Sequence, residues 1–436
     1  MRRRARAAAL RILQGFCKNC NCGAAGRFGI LEGRRGHPRP GGKGAQKNML
    51  IQNAHAVTPG RDLGRASIRV AGDRIVDIGA GLAPAPGEEV VAADGLLALP
   101  GFVDIHTHGR SGCDFCDLTD AAFDTMGRDR LKDGVTGFLA TGLTRPEADL
   151  AALCRCAERY KARGAGATCL GVHLEGPFFN PEMAGAQNPA FLRAPDADLV
   201  RRLHALSPVK KVSLAPELDG AEACIRALAG MGIVVSGGHS AADFACFQRA
   251  RAAGMTHLTH FCNAMVPIHH LRPSMVTGGL LADDVLAEII TDGVHLADPM
   301  IRLIVRAKGP DRVMVVTDSM CAAGCPDGLY ELGGLRVRVA DGCARLADVP
   351  NDPARLVSNV AGSVALYHQC FRRYVQATGL PLHEAVKAAS YNQCRSLGIP
   401  DRGELAPGKI ADVVLLDADL TPRATFVGGR LAWSAR

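Results

Sequence analysis

Residues 102–108 read Phe102-Val-Asp-Ile-His-Thr-His108, a short apolar stretch that ends in two histidines. Alternate side chains of a β-strand point to the same face, so His106 and His108 can both reach one metal ion. Seven further apolar runs follow, separated by helix-like segments such as Glu147–Arg163. The eight runs are Phe102–Ile105, Val135–Ala140, Cys169–His173, Lys211–Ala215, Ile233–Ser236, Thr256–His260, Leu286–Ile290 and Val313–Thr317. Eight alternating strand and helix units predict an α/β fold, a (β/α)8 TIM-like barrel.

Residues of the types that bind metals stand at the ends of five of these runs. Besides the first pair of histidines, Glu175 follows the third run, His239 follows the fifth, His260 ends the sixth and Asp318 follows the eighth. Barrels of this kind carry their chemistry at the carboxyl ends of the strands, so we expect these side chains to converge. Each residue alone has an ordinary explanation, such as a salt bridge or a helix cap. Their coincidence at five strand ends favours a site for Zn²⁺, Fe²⁺, Mn²⁺ or Co²⁺.

The segments on either side of the predicted barrel have the pattern of short strands. Ser67–Ala71 alternates apolar and polar residues, Gly72-Asp73 is a turn signal, and Arg74–Ile78 resumes the alternation, as in a β-hairpin. Ala411–Asp417 and Ala424–Leu431 repeat this texture near the C-terminus. We therefore expect one small β-sandwich domain built from both chain ends, residues 49–100 with 400–436, beside a barrel over residues 101–399.

The basic residues are concentrated in residues 1–48. This segment carries a net charge of +11 with Glu32 as its one acid, whereas the remaining residues carry −3. This composition predicts a disordered basic tail. The alternative is that the residues before Met49 are a spurious extension of the sequence. The tail has few aromatic residues, so RNA binding has thin support. Cys17, Cys20 and Cys22 cluster there without the second pair that a zinc site needs.

Composition excludes several classes of protein. Of the 436 residues, 47% are hydrophobic and 22% are charged, which is ordinary for a globular chain. No apolar run approaches the roughly 18 residues that span a bilayer. The 16 cysteines are scattered along the chain, which favours reduced thiols and a cytoplasmic location over a disulfide framework. We expect neither a membrane nor a nucleic acid as a partner.

Several longer stretches carry a resemblance to a known family. They are Pro100–His108, His173–Pro177, Gly238–Ser240, Thr259–Met265, Asp292–His295, Thr317-Asp318, Val360–Ser363 and Gly403–Asp417. Together they resemble the amidohydrolase superfamily and, within it, the N-acetylglucosamine-6-phosphate deacetylase family, from about residue 49 to residue 436. The resemblance implies hydrolysis of the acetamido group of a phosphorylated amino sugar, with one or two divalent ions, zinc or iron first, in a homodimer.

The resemblance also implies roles for individual residues. Glu175, His239 and His260 match ligands of the main ion, and His106 and His108 match a pair that completes a second site beside Asp318. Asp318 matches the catalytic acid and base that takes a proton from water and returns it to the amine. The matched substrate contacts are Ala186, Gln187, Asn263, Ala264, Arg272, His295, Val360, Ala361 and Gly362. Arg272 is the candidate phosphate ligand and is expected to reach the neighbouring subunit's site.

One residue departs from the family pattern. Gln187 follows Gly185-Ala186 where the family often has a histidine that polarises the acetyl carbonyl. Glutamine can still donate a hydrogen bond, but it cannot carry a charge. This departure leaves open a changed rate or a changed sugar, with N-acetylgalactosamine-6-phosphate as the alternative substrate.

Two further alternatives stay in view. A dihydroorotase or hydantoinase would often use a carbamylated lysine at the end of the fourth strand, but Lys210 and Lys211 stand at the start of that run. A non-catalytic barrel with a nucleic-acid-binding tail would be expected to have lost at least one ligand or Asp318, and all are retained.

Overall fold

The computed structural model describes residues 48–350 and 359–435. Apart from Asn48, the predicted tail lies outside the described residues, and so do its three clustered cysteines. All thirteen cysteines within the described part are free, as expected. No helix there is both long and apolar enough to cross a membrane.

The described residues form 21 strands. They are β1 Met49–Thr58, β2 Arg61–Ala71, β3 Arg74–Gly79, β4 Glu89–Ala92, β5 Leu97–Pro100, β6 Phe102–Asp104, β7 Gly109–Arg110, β8 Cys113–Asp114, β9 Val135–Gly142, β10 Thr168–Glu175, β11 Val209–Leu214, β12 Val234–Gly237, β13 Met255–Leu258, β14 Leu286–Ile290, β15 Val313–Val316, β16 Gly328–Leu332, β17 Leu335–Ala340, β18 Cys343–Leu346, β19 Val413–Leu416, β20 Pro422–Val427 and β21 Arg430–Ser434.

Ten α-helices lie between and after these strands in the described part of the chain. They are α1 Asp120–Asp129, α2 Glu147–Arg163, α3 Ala197–His204, α4 Ala221–Gly230, α5 Phe244–Ala253, α6 Met275–Leu281, α7 Asp298–Lys308, α8 Tyr367–Thr378, α9 Leu382–Ala385 and α10 Tyr391–Ser396. Three begin at a residue whose side chain accepts from a helix amide: Thr119 at α1, Asp196 at α3 and Asp243 at α5. Such caps satisfy amides that the helix itself leaves unpaired.

One sheet joins the two ends of the chain. Its strands run β21-β20-β19-β5-β1-β2-β3, and β4 pairs with β1. The predicted hairpin is present, since β2 and β3 pair antiparallel and Gly72 between them has a φ of +63°, a conformation that glycine adopts without strain. The β5–β19 pairing brings Pro100 opposite Val413. A separate sheet built from both ends is therefore present, while its sandwich form and the domain boundaries stay predictions.

The central sheet contains eight parallel strands in the order β15-β14-β13-β12-β11-β10-β9-β6. Each strand overlaps one of the eight predicted runs, and helices follow most of them. Strands such as Val135–Gly142 and Val313–Val316 are buried along their whole length, as expected for a parallel sheet covered on both faces. Beyond the strand ends, the Asp318 amide donates to the His106 carbonyl at 2.9 Å, so the first and last strands place their polar residues side by side.

A three-stranded antiparallel sheet, β16-β17-β18, follows the last parallel strand. The sequence analysis did not predict it. Leu332 and Val337 from this sheet pack in one apolar cluster with Leu143, Met320 and Ala361. This small sheet therefore lies against the carboxyl ends of the parallel strands, where the candidate site is found.

Candidate active site

Six predicted ligands converge at the carboxyl ends of the parallel strands. Their ligand atoms form two groups in which all the atoms lie within 4.8 Å of one another. One group is His106, His108 and Asp318, and the other is Glu175, His239 and His260. All six side chains are buried, so charged and polar atoms here must satisfy one another or bind an ion.

Glu175 connects the two groups. Its Oε1 lies 3.2 Å from the Nε2 atoms of both His106 and His260, and 3.3 Å from Nε2 of His239. Its Oε2 lies 3.1 Å from Nε2 of His108. One carboxylate is therefore within reach of four imidazoles, two from each group.

Unusual backbone conformations aim three of these side chains. His239, His260 and Asp318 have φ values of +48°, +30° and +49°, which place them in or near the left-handed region that side chains other than glycine rarely adopt. Each follows the last residue of a parallel strand closely. Such strain persists only where the surroundings enforce it, and it concentrates at functional sites.

The donor atoms fit a divalent ion. The Nδ1 of His239 lies 2.9 Å from the Met183 carbonyl, which can only accept, so Nδ1 carries the proton and Nε2 offers its lone pair. That Nε2 is 3.0 Å from Nε2 of His260. The buried Nε2 of His106 makes no hydrogen bond within the described residues, although Oε1 of Glu175 is 3.2 Å away. Imidazole and carboxylate together suit divalent ions of the zinc and iron type.

The charges within the cluster shift each other's protonation. Burial lowers the pKa of His106, but Glu175 and Asp318 outweigh it and raise the value to about 9. Burial raises the pKa of Asp318, but His106 and His108 hold it below its usual value. The pKa of Glu175 is held well below its usual range in the same way. Both carboxylates are therefore ionised at neutral pH.

A cavity of about 180 Å³ opens onto the cluster. It is lined by His108, Leu143, Glu175, Gly185, Ala186, Gln187, His239, His260, Asn263, Ala264, Val294, His295, Asp318, Leu332, Val360 and Gly362. The structure thus brings seven of the nine predicted substrate contacts to the cavity. Leu143, Gly185, Val294 and Leu332 also line the cavity and were not predicted. A residue without a charged or hydrogen-bonding side chain carries no sequence signal for a place in a binding cavity.

The other two predicted contacts lie elsewhere. Ala361 is fully buried, and its amide donates to the Ala344 carbonyl at 3.0 Å, so it holds its neighbours in the wall. Arg272 is exposed in the loop before α6 and does not line the cavity of its own chain.

Gln187 is fixed at both ends of its amide. The Thr144 amide donates to Oε1 at 2.8 Å, and Nε2 donates to Oε2 of Glu175 at 2.5 Å. A backbone amide can only donate and a carboxylate can only accept, so these contacts settle the orientation of the side chain. Gln187 therefore contacts the shared carboxylate directly, a role that its sequence position did not reveal.

His295 has its own acidic partner. Its Nδ1 lies 2.8 Å from Oδ2 of Asp292, whose Oδ1 accepts from the amides of Val294 and His295 at 2.8 and 2.9 Å. Burial lowers the pKa of His295, but Asp292 outweighs it and raises the value above the usual one. The ring thus presents Nε2 to the cavity and favours the charged form.

Lys211 does not lie where the sequence analysis put it. It is the third residue of β11 rather than a residue at the start of the strand, and its side chain is completely buried. Its Nζ forms an ion pair with Oε1 of Glu288 on β14. Lys211 lies three residues before the carboxyl end of β11, and its amine pairs with a carboxylate. Neither its position nor its partner suits a carbamylated lysine at the end of the strand.

Known proteins match most of the chain. Residues 97–432 match the Amidohydrolase family. An N-acetylglucosamine-6-phosphate deacetylase of Lysinibacillus sphaericus is 35% identical over 80% of this chain and 88% of its own length. An N-acetylgalactosamine-6-phosphate deacetylase of Escherichia coli O157:H7 is 35% identical over 82% of this chain and 94% of its own length.

A solved structure extends this similarity to the fold. A mutant N-acetyl-D-glucosamine-6-phosphate deacetylase from Mycobacterium smegmatis, in complex with N-acetyl-D-glucosamine-6-phosphate, superimposes with a TM-score of 0.82. It is 34% identical, and the match covers 89% of this chain and all of that one. The resemblance found in the sequence motifs is confirmed, and the chain belongs to the amidohydrolase family.

Proposed function

We propose that this chain hydrolyses the acetamido group of N-acetylglucosamine-6-phosphate to glucosamine-6-phosphate and acetate. The observation that carries the proposal is the position of Glu175, shared by four imidazoles at the floor of a cavity that Gln187 and His295 also line. The names of the similar proteins support the same reaction.

A divalent ion is part of this proposal. Glu175, His239 and His260 would hold the main ion, zinc or iron, and His106, His108 and Asp318 would hold a second one. When bound, such an ion supplies Lewis acidity, which lowers the pKa of water and polarises an amide carbonyl.

Asp318 is the proposed general base and acid. It is the one carboxylate other than Glu175 among the residues lining the cavity, and its lowered pKa keeps it ionised, the form in which a carboxylate can take up a proton. After the tetrahedral stage the same group returns the proton to the departing amine. A positioned carboxylate of this kind typically contributes about 10²–10⁴-fold to the rate.

The remaining cavity residues orient the sugar. The second N–H of Gln187 is available for the acetyl oxygen, since its first N–H is used by Glu175. Ala186, Asn263, Ala264, His295, Val360 and Gly362 would contact the sugar phosphate, and Ala361 would support that wall. Binding energy from the phosphate end, remote from the scissile bond, serves to place the amide over the ligand cluster.

The proposal extends to architecture. Residues 101–399 would form a closed barrel and residues 49–100 with 400–436 the smaller β-domain. The exposed Arg272 would reach the phosphate site of a second copy in a homodimer, with its planar guanidinium giving a bidentate grip.

Acetate release from three sugars tests the proposed reaction. We expect the zinc- or iron-loaded full chain to turn over N-acetylglucosamine-6-phosphate far faster than unphosphorylated N-acetylglucosamine, because His295 and Arg272 act on the phosphate. N-acetylgalactosamine-6-phosphate is the third substrate, since a similar protein carries that name. Turnover of the galactose epimer alone would replace the proposed substrate, and turnover of none of the three by metal-loaded protein would reject the reaction.

Asp292→Asn tests the phosphate role of His295. Because Asp292 raises the pKa of His295, the imidazolium persists above its usual pH range, and its attraction for phosphate fades as pH rises through the raised pKa. The asparagine keeps an oxygen for the two amides but lowers the pKa of the ring. We expect KM to rise roughly tenfold at neutral pH, the effect of about 1.4 kcal/mol, with a smaller change in kcat. Identical profiles of KM against pH for the two proteins would contradict the role.

A further inference from the structure

A buried ion pair lies beneath the ligand cluster. Lys211 on β11 and Glu288 on β14 are both completely shielded from solvent, and Nζ of Lys211 contacts Oε1 of Glu288. The other oxygen, Oε2, lies 3.2 Å from Nδ1 of His106. The carboxylate thus touches a candidate metal ligand from the side opposite the cavity.

This contact decides which nitrogen of His106 holds the proton. An ammonium group can only donate, so its partner Glu288 is a carboxylate acceptor, and a carboxylate opposite Nδ1 requires Nδ1 to donate. The lone pair of a neutral ring is then on Nε2. That atom points at Glu175 and Asp318, at 3.2 and 3.4 Å respectively.

We propose that Glu288 is a positioning residue that keeps the proton of His106 on Nδ1 and directs the lone pair of Nε2 to the second ion. This inference rests on the metal site of the proposed function. Ligand histidines typically donate their other nitrogen to such a partner, whose loss costs about 10–100-fold in metal affinity. The second ion, rather than the main one, is affected because His106 groups with His108 and Asp318.

Glu288→Gln is expected to move the proton of His106 from Nδ1 to Nε2, with almost no change in the shape of the side chain at position 288. Lys211 still requires an acceptor, so the new amide turns its oxygen to Nζ and its NH₂ to Nδ1 of His106. Nδ1 must then accept, and the proton moves to Nε2, where it blocks the lone pair. We expect the second ion to bind about 10–100-fold more weakly, while binding of the main ion is retained.

Lys211→Gln is the matched control. It removes the same ion pair, but it leaves the carboxylate of Glu288 facing Nδ1 of His106. If the proton position matters, this variant should bind the second ion nearly as well as the unsubstituted chain. If burial of an ion pair were all that mattered, the two variants would lose affinity equally.

The test is calorimetric titration of metal-free full chain with Zn²⁺, with bound metal counted after dialysis. The inference predicts two ions for the unsubstituted chain and for Lys211→Gln, and a weakened second ion for Glu288→Gln. Equal second-ion affinity in all three proteins, equal loss in both variants, or a single ion in the unsubstituted chain would overturn the inference. Failure of the unsubstituted chain to bind any ion would instead reject the proposed function. The retained first ion shows that Glu288→Gln has folded.

Discussion

Asp318→Asn should lower kcat by about 10²–10⁴-fold, the usual contribution of a positioned general base. Asparagine matches aspartate in size and keeps one oxygen near the His106 and His108 rings, 3.4 and 3.1 Å from Oδ1 in the native chain. It cannot take up a proton from water or deliver one to the amine. The loss should therefore appear in kcat at saturating substrate, with a smaller change in KM.

The matched control is Asp341→Asn. This substitution makes the same chemical change on an exposed turn. The φ of Asp341, +51°, suits asparagine equally well. Initial rates of acetate release, measured with equal bound metal, should be unchanged in this control. Turnover of the Asp318 variant within a few-fold of the unsubstituted chain would assign proton transfer to another group.

Glu175→Gln should have a still broader effect, because Glu175 belongs to one ligand group and also contacts both histidines of the other. Removal of an outer partner costs about 10–100-fold in metal affinity, so removal of a direct, shared ligand should cost more than about 100-fold for the main ion. Turnover should fall to background. The measurement is metal content after dialysis together with acetate release.

Glu182→Gln provides the comparison for this change. Glu182 is exposed in a short 3-10 helix, Pro181–Met183, after β10, and the structure gives it no ion pair within the described ranges. It should retain full metal content and activity. A Glu175 variant that keeps both ions would show that the imidazoles alone form the site, and the shared-ligand arrangement would be wrong.

The architecture of the parallel sheet follows largely from periodic sequence features. Each apolar run became a strand because a strand covered on both faces needs a continuous apolar stretch, and the hairpin at Gly72 follows from a local turn signal. The small sheet Gly328–Leu346 was missed. Its strands are only half-buried, and its position depends on contacts with residues outside the sheet, including Leu143, which is distant in sequence.

The ligands of the site were predictable for a related reason. His106, Glu175 and Asp318 stand at strand ends, and the fold brings all strand ends of one direction to one edge. The supporting residues carry no such signal: Glu288 lies inside a strand, and Lys211 lies inside its strand rather than at the start, where the sequence analysis put it. The orientation of a buried polar side chain depends on its partner on another strand, as for Lys211 and Glu288. The local sequence around either residue does not identify that partner.

The sheet formed by both chain ends constrains the order in which this protein can be completed. β1 to β5 leave the ribosome early, but the strand that pairs with the outer side of β5 is Val413–Leu416. Until synthesis is nearly finished, β5 is therefore an open edge, the kind of surface that recruits foreign strands. Pairings this distant in sequence also form slowly. The nascent chain consequently spends most of its synthesis with an unpaired edge, and loss of the last few strands would leave that edge exposed permanently.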